Sequence, residues 1–142
     1  MVRFRWRRFR RIIAPGPSVA GATILVVDDE TAVLDQVGRM LRRRGYSVVC
    51  HSNPAEALEW CRSHPSDAQL LLTDVVMPGL TGLDLAAEVR KLRPDIPVLL
   101  MSGYPDRVPR GVLGSFAPLL QKPFTMARML EAVGVLLAER TP

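Results

Sequence analysis

The sequence predicts an α/β fold, in which a doubly wound parallel sheet of five strands has helices on both faces. Short apolar runs alternate five times with segments of helical periodicity, which is the pattern of a parallel sheet. The runs are apolar at consecutive positions, as is typical of strands that are buried on both faces. With 142 residues and 48% hydrophobic residues, the chain is long enough for one domain with a substantial core.

The predicted elements follow from these runs and from the periodic segments between them. The predicted strands are residues 23–27, 46–50, 70–74, 96–101 and 119–121. The predicted helices are residues 31–44, 54 to about 63, 81 or 82 to about 92, a short segment within 104–118, and 126 to about 139. The helix within 104–118 is expected to be weak, because Pro109, Gly111 and Gly114 disfavour helical structure.

Helix ends are marked by residues that satisfy terminal backbone groups. Asn53 is the predicted N-cap of the second helix, and Pro54 follows at the first helical position. The run Arg42–Arg44 suits the C-terminal dipole of the first helix, and Gly45 suits the C′ position. This arginine run is therefore explained without a nucleic-acid partner.

Residues 1–20 differ in composition from the rest of the chain. They contain six arginines and no acid, whereas the remainder has 13 basic and 14 acidic residues. The high isoelectric point therefore comes from the tail, and the nearly neutral remainder gives no support for nucleic-acid binding by the domain. Because Pro15 to Ser18 breaks any helix, we predict a tail over residues 1–20 and a domain over residues 21–142.

The tail allows several interpretations. Val2, Trp6, Phe9 and Ile13 have the spacing of one helix face among the arginines, so a basic amphipathic helix could contact an anionic membrane or nucleic acid. A disordered extension, the end of an upstream linker, and residues read from a start codon placed too early are the other interpretations. Taken together, these three are favoured over membrane contact.

Several classes of protein and site are excluded. No apolar run has the length of a membrane span, and the N-terminus lacks the apolar core of a signal peptide. The two cysteines, Cys50 and Cys61, are expected to be small core residues in a reducing compartment, the cytoplasm. Their spacing to His51 and His64 does not match a zinc site, so these histidines are expected in solvent at the ends of elements.

Polar residues follow the predicted strands at the points where the strands end. Asp28 and Asp29 follow the first strand, Asp74 ends the third, Ser102 follows the fourth, and Lys122 follows the fifth. In a sheet of order 2-1-3-4-5, the strand order reverses between strands 1 and 3, and ligands bind at the carboxyl ends beside that point. We therefore expect these side chains to converge at one edge of the sheet.

These residue types indicate phosphoryl transfer. Clustered carboxylates are ligands for Mg²⁺, which keeps several waters in its octahedral shell. An ionised aspartate is a nucleophile toward phosphorus, and Mg²⁺, a lysine and a hydroxyl suit the charged oxygens of the transferring group. An aspartate at a strand end that only caps a turn is also common, so Asp74 is informative only together with the others.

With these residues in place, the sequence resembles the receiver domain of two-component response regulators over residues 22–139. Each matched feature is a weak signal alone, and together, at successive strand ends, they are a strong one. The features are Val26-Val27-Asp28-Asp29-Glu30, Asp74 with Met77-Pro78-Gly79, Gly82, Met101-Ser102-Gly103, and Lys122-Pro123-Phe124. The resemblance implies a flavodoxin-like fold with five strands and five helices.

The resemblance also implies a phosphoacceptor and a metal site. Asp74 would accept the phosphoryl group. Asp29 would bind Mg²⁺ directly, and Asp28 would act more through water. The backbone carbonyl of Val76 would be a further ligand of the ion.

Two further side chains would hold the phosphoryl group, Ser102 by a hydrogen bond and Lys122 by its charge. Receivers similar to this sequence hold the Lys122–Pro123 peptide bond cis. One departure lies three residues before the lysine, where the family often has a Tyr or Phe that turns inward on activation. Leu119 occupies this position, so the aromatic-switch mechanism lacks its ring here.

Domains of this kind take the phosphoryl group from a phosphohistidine on a histidine kinase or a histidine phosphotransfer protein. We expect no enzymatic activity beyond the domain's own phosphorylation and dephosphorylation, and no attached output domain. A free single-domain regulator and the terminal receiver of a hybrid histidine kinase both fit the sequence.

Two other classes of protein are the alternatives. A haloacid-dehalogenase-like Mg²⁺-dependent phosphatase would have its nucleophile in an Asp-x-Asp pair, whereas Asp28 and Asp29 are adjacent. A binding module that works without phosphorylation would not need Asp28, Asp29 and Lys122 together.

Overall fold

The computed structural model describes residues 21–104 and 117–140. Within these two ranges, five strands and four helices follow one another along the chain. They are β1 (Thr23–Val27), α1 (Thr31–Arg43), β2 (Ser47–His51), α2 (Pro54–Ser63), β3 (Leu70–Asp74), α3 (Gly82–Leu92), β4 (Val98–Ser102), β5 (Leu119–Gln121) and α4 (Met126–Arg140). The predicted weak helix falls almost wholly within residues 105–116, outside the described ranges, as does the tail, so the fifth helix stays a prediction.

The sheet has the predicted topology. Its strands are all parallel and lie in the order β2-β1-β3-β4-β5. Val27, the last residue of β1, pairs with His51 on one side and Thr73 on the other, so β1 and β3 end at the same level. The reversal of strand order between β1 and β3 therefore brings their carboxyl ends side by side.

The core consists of two apolar layers, one on each face of the sheet. Ile24 and Val26 of β1 contribute to the layer under α1 and α4, and Leu25 and Val27 contribute to the layer under α2 and α3. Every residue of β3 and β4 is buried, which explains the apolar runs with which both strands begin. Each fully buried aliphatic side chain contributes roughly 1.5–3 kcal/mol, so the central strands are held firmly in place.

Two predicted strands begin later than expected, because the N–H groups of their first predicted residues form hydrogen bonds within the preceding turns. Tyr46 was predicted to open β2, but its N–H donates to the carbonyl of Leu41 and completes the end of α1. Ile96 was predicted to open β4, but its N–H donates to the carbonyl of Arg93. The next residue, Pro97, has no N–H that could bond to a neighbouring strand.

The helix ends follow the predicted capping chemistry, with one addition. Gly45 has a φ of 99°, the left-handed region expected at a C′ glycine. The Asn53 side chain accepts hydrogen bonds from the N–H groups of Ala55 and Glu56. The addition is a reciprocal capping box between Thr81 and Asp84, which fixes the start of α3.

The cysteines and His64 occupy the kinds of position predicted for them, whereas His51 is half-buried rather than in solvent. Cys61 is buried, Cys50 is half-buried, and both are free thiols. His51 ends β2, and His64 caps α2, where its ring stacks on Trp60 with centroids 4.9 Å apart. Among the described residues, no helix is both long and apolar enough to cross a membrane.

Candidate functional site

The strand reversal brings three carboxylates together. Asp28 follows β1 and is fully buried, Asp74 ends β3 and is 5% exposed, and Asp29 is exposed beside them. One carboxylate oxygen from each lies within 4.8 Å of the others. The convergence expected from the topology is therefore present.

Backbone N–H groups fix the two buried carboxylates. Asp28 Oδ1 accepts from the N–H of Glu30 at 2.9 Å, and Asp74 Oδ1 accepts from the N–H of Val75 at 3.0 Å. Each aspartate thus retains its second oxygen for another partner. The second oxygen of each aspartate, Oδ2, lies within 4 Å of the Lys122 ammonium.

The Lys122 ammonium contacts carboxylates at the ends of both β1 and β3. Its Nζ lies 2.7 Å from Asp28 Oδ2 and 3.6 Å from Asp74 Oδ2, with 16% of the side chain exposed. Its backbone N–H donates to the carbonyl of Ser102 at 2.9 Å, which ties the end of β5 to the end of β4. The Lys122–Pro123 peptide bond is cis, as predicted.

Glu30 is a member of the site that the sequence did not single out. Its Oε1 lies 3.9 Å from Lys122 Nζ, although the side chain is 66% exposed. The sequence signal for Glu30 is its place as the third acid in the run Asp28-Asp29-Glu30. Such a run by itself is equally typical of a solvated helix start.

The acids open onto a cavity of about 330 Å³. It is lined by Asp29, Glu30, Asp74, Val76, Gly103, Tyr104 and Lys122. Ser102 is fully buried at the edge of this space and is not part of the lining. Its hydroxyl oxygen accepts a hydrogen bond from the N–H of Tyr104 at 3.0 Å, which positions the hydroxyl next to the cavity wall.

Helix α3 begins in contact with the end of β3. The N–H of Gly82 donates to the carbonyl of Val75 at 2.9 Å. A Cβ at position 82 would overlap the carbonyl oxygen of Asp74. A glycine is therefore required for α3 to approach this closely.

The electrostatics of the site are dominated by burial of like charges. Burial, and after it the charge of Asp28, raise the pKa of Asp74 to about 6, although Lys122 opposes both. Burial also raises the pKa of Asp28 in spite of its bond to Lys122. Burial alone would lower the pKa of Lys122, but the hydrogen bond to Asp28 and the charges of Asp28, Asp74 and Glu30 together outweigh it and raise that pKa, so the lysine stays cationic.

We expect the stability of the metal-free protein to decrease as the pH rises from about 4 to about 6 through the ionisation of Asp74. The folded state holds this proton more tightly than the unfolded chain, so folding is favoured below the ordinary pKa of 3.8 and loses that contribution as the pH passes about 6. The loss is up to about 3 kcal/mol for a shift of this size.

The measurement is the difference in unfolding free energy between wild type and Asp74→Asn in chelator-containing buffer across this pH range. Carboxylates outside the site contribute equally to both proteins and cancel in the difference. A difference that does not change with pH would contradict the prediction.

The donor set fits a hard divalent cation. Three carboxylates with neighbouring oxygens, at the edge of an open cavity, leave room for the waters that Mg²⁺ retains. Asp28, Glu30 and Asp74 lie within 4 Å of a single ammonium group, and Asp29 lies beside two of them, so a cation would also relieve the repulsion among the acids.

Comparisons with known proteins agree with this arrangement. The family described as the response regulator receiver domain matches residues 24–134. The DNA-binding transcriptional regulator NtrC of Rhizobium meliloti (strain 1021) is 37% identical over 124 residues, which is 85% of this chain and 25% of NtrC. This chain thus spans only about a quarter of the length of that relative.

Solved structures give the same result. The receiver domain of the hybrid histidine kinase CckA has a TM-score of 0.71 and 33% identity, covering 82% of this chain and 99% of that one. The response regulator TrrA of Thermotoga maritima, in complex with Mg²⁺-BeF, has a TM-score of 0.70 and 32% identity, covering 81% of this chain and 98% of that one.

Proposed function

The chain belongs to the response regulator receiver domains of two-component signalling, and from this premise we propose that Asp74 accepts a phosphoryl group from a phosphohistidine. The donor is a histidine kinase or a histidine phosphotransfer protein, and the domain catalyses only its own phosphorylation and dephosphorylation. The two free thiols support a reducing, cytoplasmic compartment.

The observation that carries this proposal is the placement of Asp74. It is the buried carboxylate that both lines the cavity and lies within 4 Å of the Lys122 ammonium, at 3.6 Å. Asp28 is closer to the lysine, but it is fully buried and does not line the cavity. This difference also disfavours a haloacid-dehalogenase-like phosphatase, whose nucleophile would lie at the end of β1.

In the proposed step, an Asp74 carboxylate oxygen forms a bond to phosphorus as the bond from phosphorus to the imidazole nitrogen breaks. The electron pair of that bond stays on the nitrogen of the donor histidine. Lys122, already beside both carboxylates, pairs with an oxygen of the incoming group. The Ser102 hydroxyl accepts from the Tyr104 N–H, so its own O–H is available to donate a hydrogen bond to another oxygen of the group.

Asp28 and Asp29 are the residues we propose to hold Mg²⁺ together with Asp74 and the backbone carbonyl of Val76. When bound, the ion supplies positive charge for the transferring phosphoryl oxygens. The complex of the similar TrrA domain with Mg²⁺-BeF supports this choice of ion. The protein's own contribution is to keep the acids within reach of one another before the donor arrives.

The test is to incubate the protein with acetyl phosphate and Mg²⁺ and to measure its intact mass. We expect one added phosphoryl group, mapped to the peptide that contains Asp74, and none when a chelator replaces Mg²⁺. A group that maps to Asp28 or Asp29, or continuous turnover of phosphomonoesters, would overturn the proposal.

We expect the phosphoryl group on Asp74 to be lost slowly for a receiver. Hydrolysis needs a water in line with the bond from Asp74 to phosphorus, and Val76 and Tyr104 both line the cavity in which that water must stand. Neither side chain is an amide or carboxylate that would orient the water, so hydrolysis lacks the rate increase that an oriented water provides. The signal would then end mainly by return transfer or by a partner phosphatase.

The measurement is the decay of phosphorylated Asp74 in wild type, Val76→Asn and Tyr104→Ala. Val76→Asn supplies a group that can orient water, and Tyr104→Ala removes a ring that is positioned to shield the group. We expect at least one substitution to speed the loss severalfold. Decay of the wild type within seconds, or two variants that decay like the wild type, would contradict the expectation.

A further inference from the structure

The edge of the sheet formed by β2 is open among the described residues. β2 pairs with β1 on one side, and no described strand pairs with it on the other. All five of its residues are at least partly exposed, as is expected of an edge strand. β5, at the opposite edge, has only three residues and is followed closely by Pro123, which has no N–H for a further strand.

β2 lacks the features with which edge strands commonly avoid pairing with another chain. Its sequence, Ser47-Val48-Val49-Cys50-His51, contains no Lys, Arg, Asp, Glu or Pro. Its register with β1 continues over all five residues, so no bulge twists the edge away. The two valines favour extended structure, and the strand is therefore suited to accept another strand.

The hydrogen bonds to β1 determine which backbone groups of β2 face the open edge. The N–H of Ser47 and the carbonyl of His51 both bond to the side of β1, at 3.0 and 3.3 Å. Because alternate residues of a parallel strand bond to the same neighbour, the odd-numbered residues of β2 face β1. Val48 and Cys50 consequently direct an N–H and a carbonyl each toward the open edge.

Exposed arginines lie beside this edge. They are Arg39, Arg42, Arg43 and Arg44, on the last turns of α1 and its C-cap, from which the chain leads into β2. Arg42 reaches the strand itself. Its Nη1 and the Sγ of Cys50 lie 3.1 and 3.5 Å from the position that a Cβ on Gly38 would occupy.

The helix dipole by itself does not account for this group of arginines. Arg62 at the end of α2 lies 3.3 Å from Glu59, and Lys91 at the end of α3 lies 3.0 Å from Glu88, so the cations at those ends have acidic partners. None of the four arginines of α1 and its cap forms an ion pair with a carboxylate of the described residues. Their charge is therefore available to an acidic group that lies along β2.

We propose that the open edge of β2 binds an extended acidic segment of a partner protein, which adds a sixth strand to the sheet. The outward N–H and carbonyl groups of Val48 and Cys50 pair with the backbone of the segment, and its acidic side chains lie against the arginines of α1. A peptide backbone supplies both donors and acceptors. The phosphates of a nucleic acid or a lipid supply only acceptors and would leave the two outward carbonyls unpaired.

This chain is itself a poor occupant of the edge. Residues 1–20 contain six arginines and no acid, so the tail has the wrong charge. A second copy paired through its own β2 would carry the same uncompensated arginines into the contact. Binding at this edge does not involve Asp74, because β1 separates β2 from β3, and Asp74→Asn should bind the segment like the wild type.

The probe for this surface is a labelled peptide in which glutamate and valine alternate, and its binding to the full chain is measured by fluorescence anisotropy at low salt. We expect the acidic peptide to bind and a peptide with lysine in place of glutamate to bind little. The acidic peptide with methylated backbone nitrogens should also bind little, because it keeps its charge but cannot donate to the strand.

A matched pair of variants tests the arginines. Arg42→Gln/Arg43→Gln should weaken binding about threefold or more, because each exposed ion pair contributes up to about fivefold to the affinity. Lys91→Gln, which removes an exposed cation from α3, should bind like the wild type.

Two measurements locate the peptide on β2. Val48→Pro removes one outward N–H and should weaken binding about fivefold, whereas Val48→Ala keeps this N–H and should bind like the wild type. In the wild type, saturating peptide should slow hydrogen exchange at the amides of Val48 and Cys50 more than at Val49, whose N–H already faces β1. The exchange measurement does not depend on the folding of the proline variant.

Equal binding of the acidic peptide and the lysine peptide would overturn the proposal. Binding of the methylated peptide as tightly as the unmethylated one would do the same, because it would show attraction by charge without strand pairing. Unchanged exchange at Val48 and Cys50 in the presence of saturating peptide would place the peptide elsewhere. A single-stranded oligonucleotide that bound more tightly at the same salt concentration and displaced the peptide would assign the arginines to nucleic acid instead.

Discussion

Replacement of Asp74 by asparagine is expected to abolish acid-labile, hydroxylamine-sensitive phosphate in protein treated with acetyl phosphate and Mg²⁺. The amide cannot act as the nucleophile, and the other acids are poorly placed to substitute for it. Asp28 is fully buried against Lys122, and Asp29 has no ammonium within ion-pair distance among the described residues. The loss of label should be complete.

Mg²⁺ should also stabilise the folded state of Asp74→Asn less than that of the wild type. A ligand that binds only the folded state stabilises it by an amount that depends on its affinity, and Asp74→Asn removes one of three carboxylates. We therefore expect Mg²⁺ to raise the melting temperature of the wild type more than that of the variant. In metal-free buffer near neutral pH the variant should be the more stable protein, because it lacks the buried charge.

Asp67→Asn is the matched control, since it removes an exposed carboxylate between α2 and β3. It should label like the wild type and show the same response to Mg²⁺. If Asp74→Asn labelled as well as Asp67→Asn, Asp74 would not be the acceptor.

Replacement of Gly82 by alanine is the second change with a large expected effect. The new Cβ would overlap the carbonyl oxygen of Asp74 and approach the backbone of Val75, so either β3 or α3 has to move. Overpacking against backbone costs about 3 kcal/mol, and the displaced end of β3 carries the phosphoacceptor. We expect both the unfolding free energy and the rate of labelling to fall, the latter at least about tenfold.

Gly134→Ala is the appropriate comparison for this substitution. Gly134 lies within α4, where an added Cβ meets no atom within 4 Å, so the helix should gain up to about 1 kcal/mol from the better helix former. Denaturant unfolding and acetyl phosphate labelling of the two variants provide the measurements. If the two glycine substitutions had the same effect on both, the contact between α3 and β3 would not constrain the site.

The sequence by itself determined the elements and their order. Unbroken apolar runs such as Leu70–Leu72 fall on buried strands, and Asn53 and Gly45 fall on helix ends, because these signals depend on neighbouring residues in the chain. Polar residues directly after apolar strands, together with the topological rule for parallel sheets, were enough to bring Asp28 and Asp74 to one edge.

The tertiary structure alone decided how these residues differ from one another. Asp28 and Asp74 have similar sequence contexts, yet Asp28 is the one bonded to Lys122, 94 residues away, and Asp74 is the one that lines the cavity. Local periodicity likewise does not predict the close approach of Gly82 to Asp74 or the hydrogen bond between Gly21 and Gly45. The physical reason is that such distances depend on how the helices pack on both faces of the sheet, which no short stretch of sequence encodes.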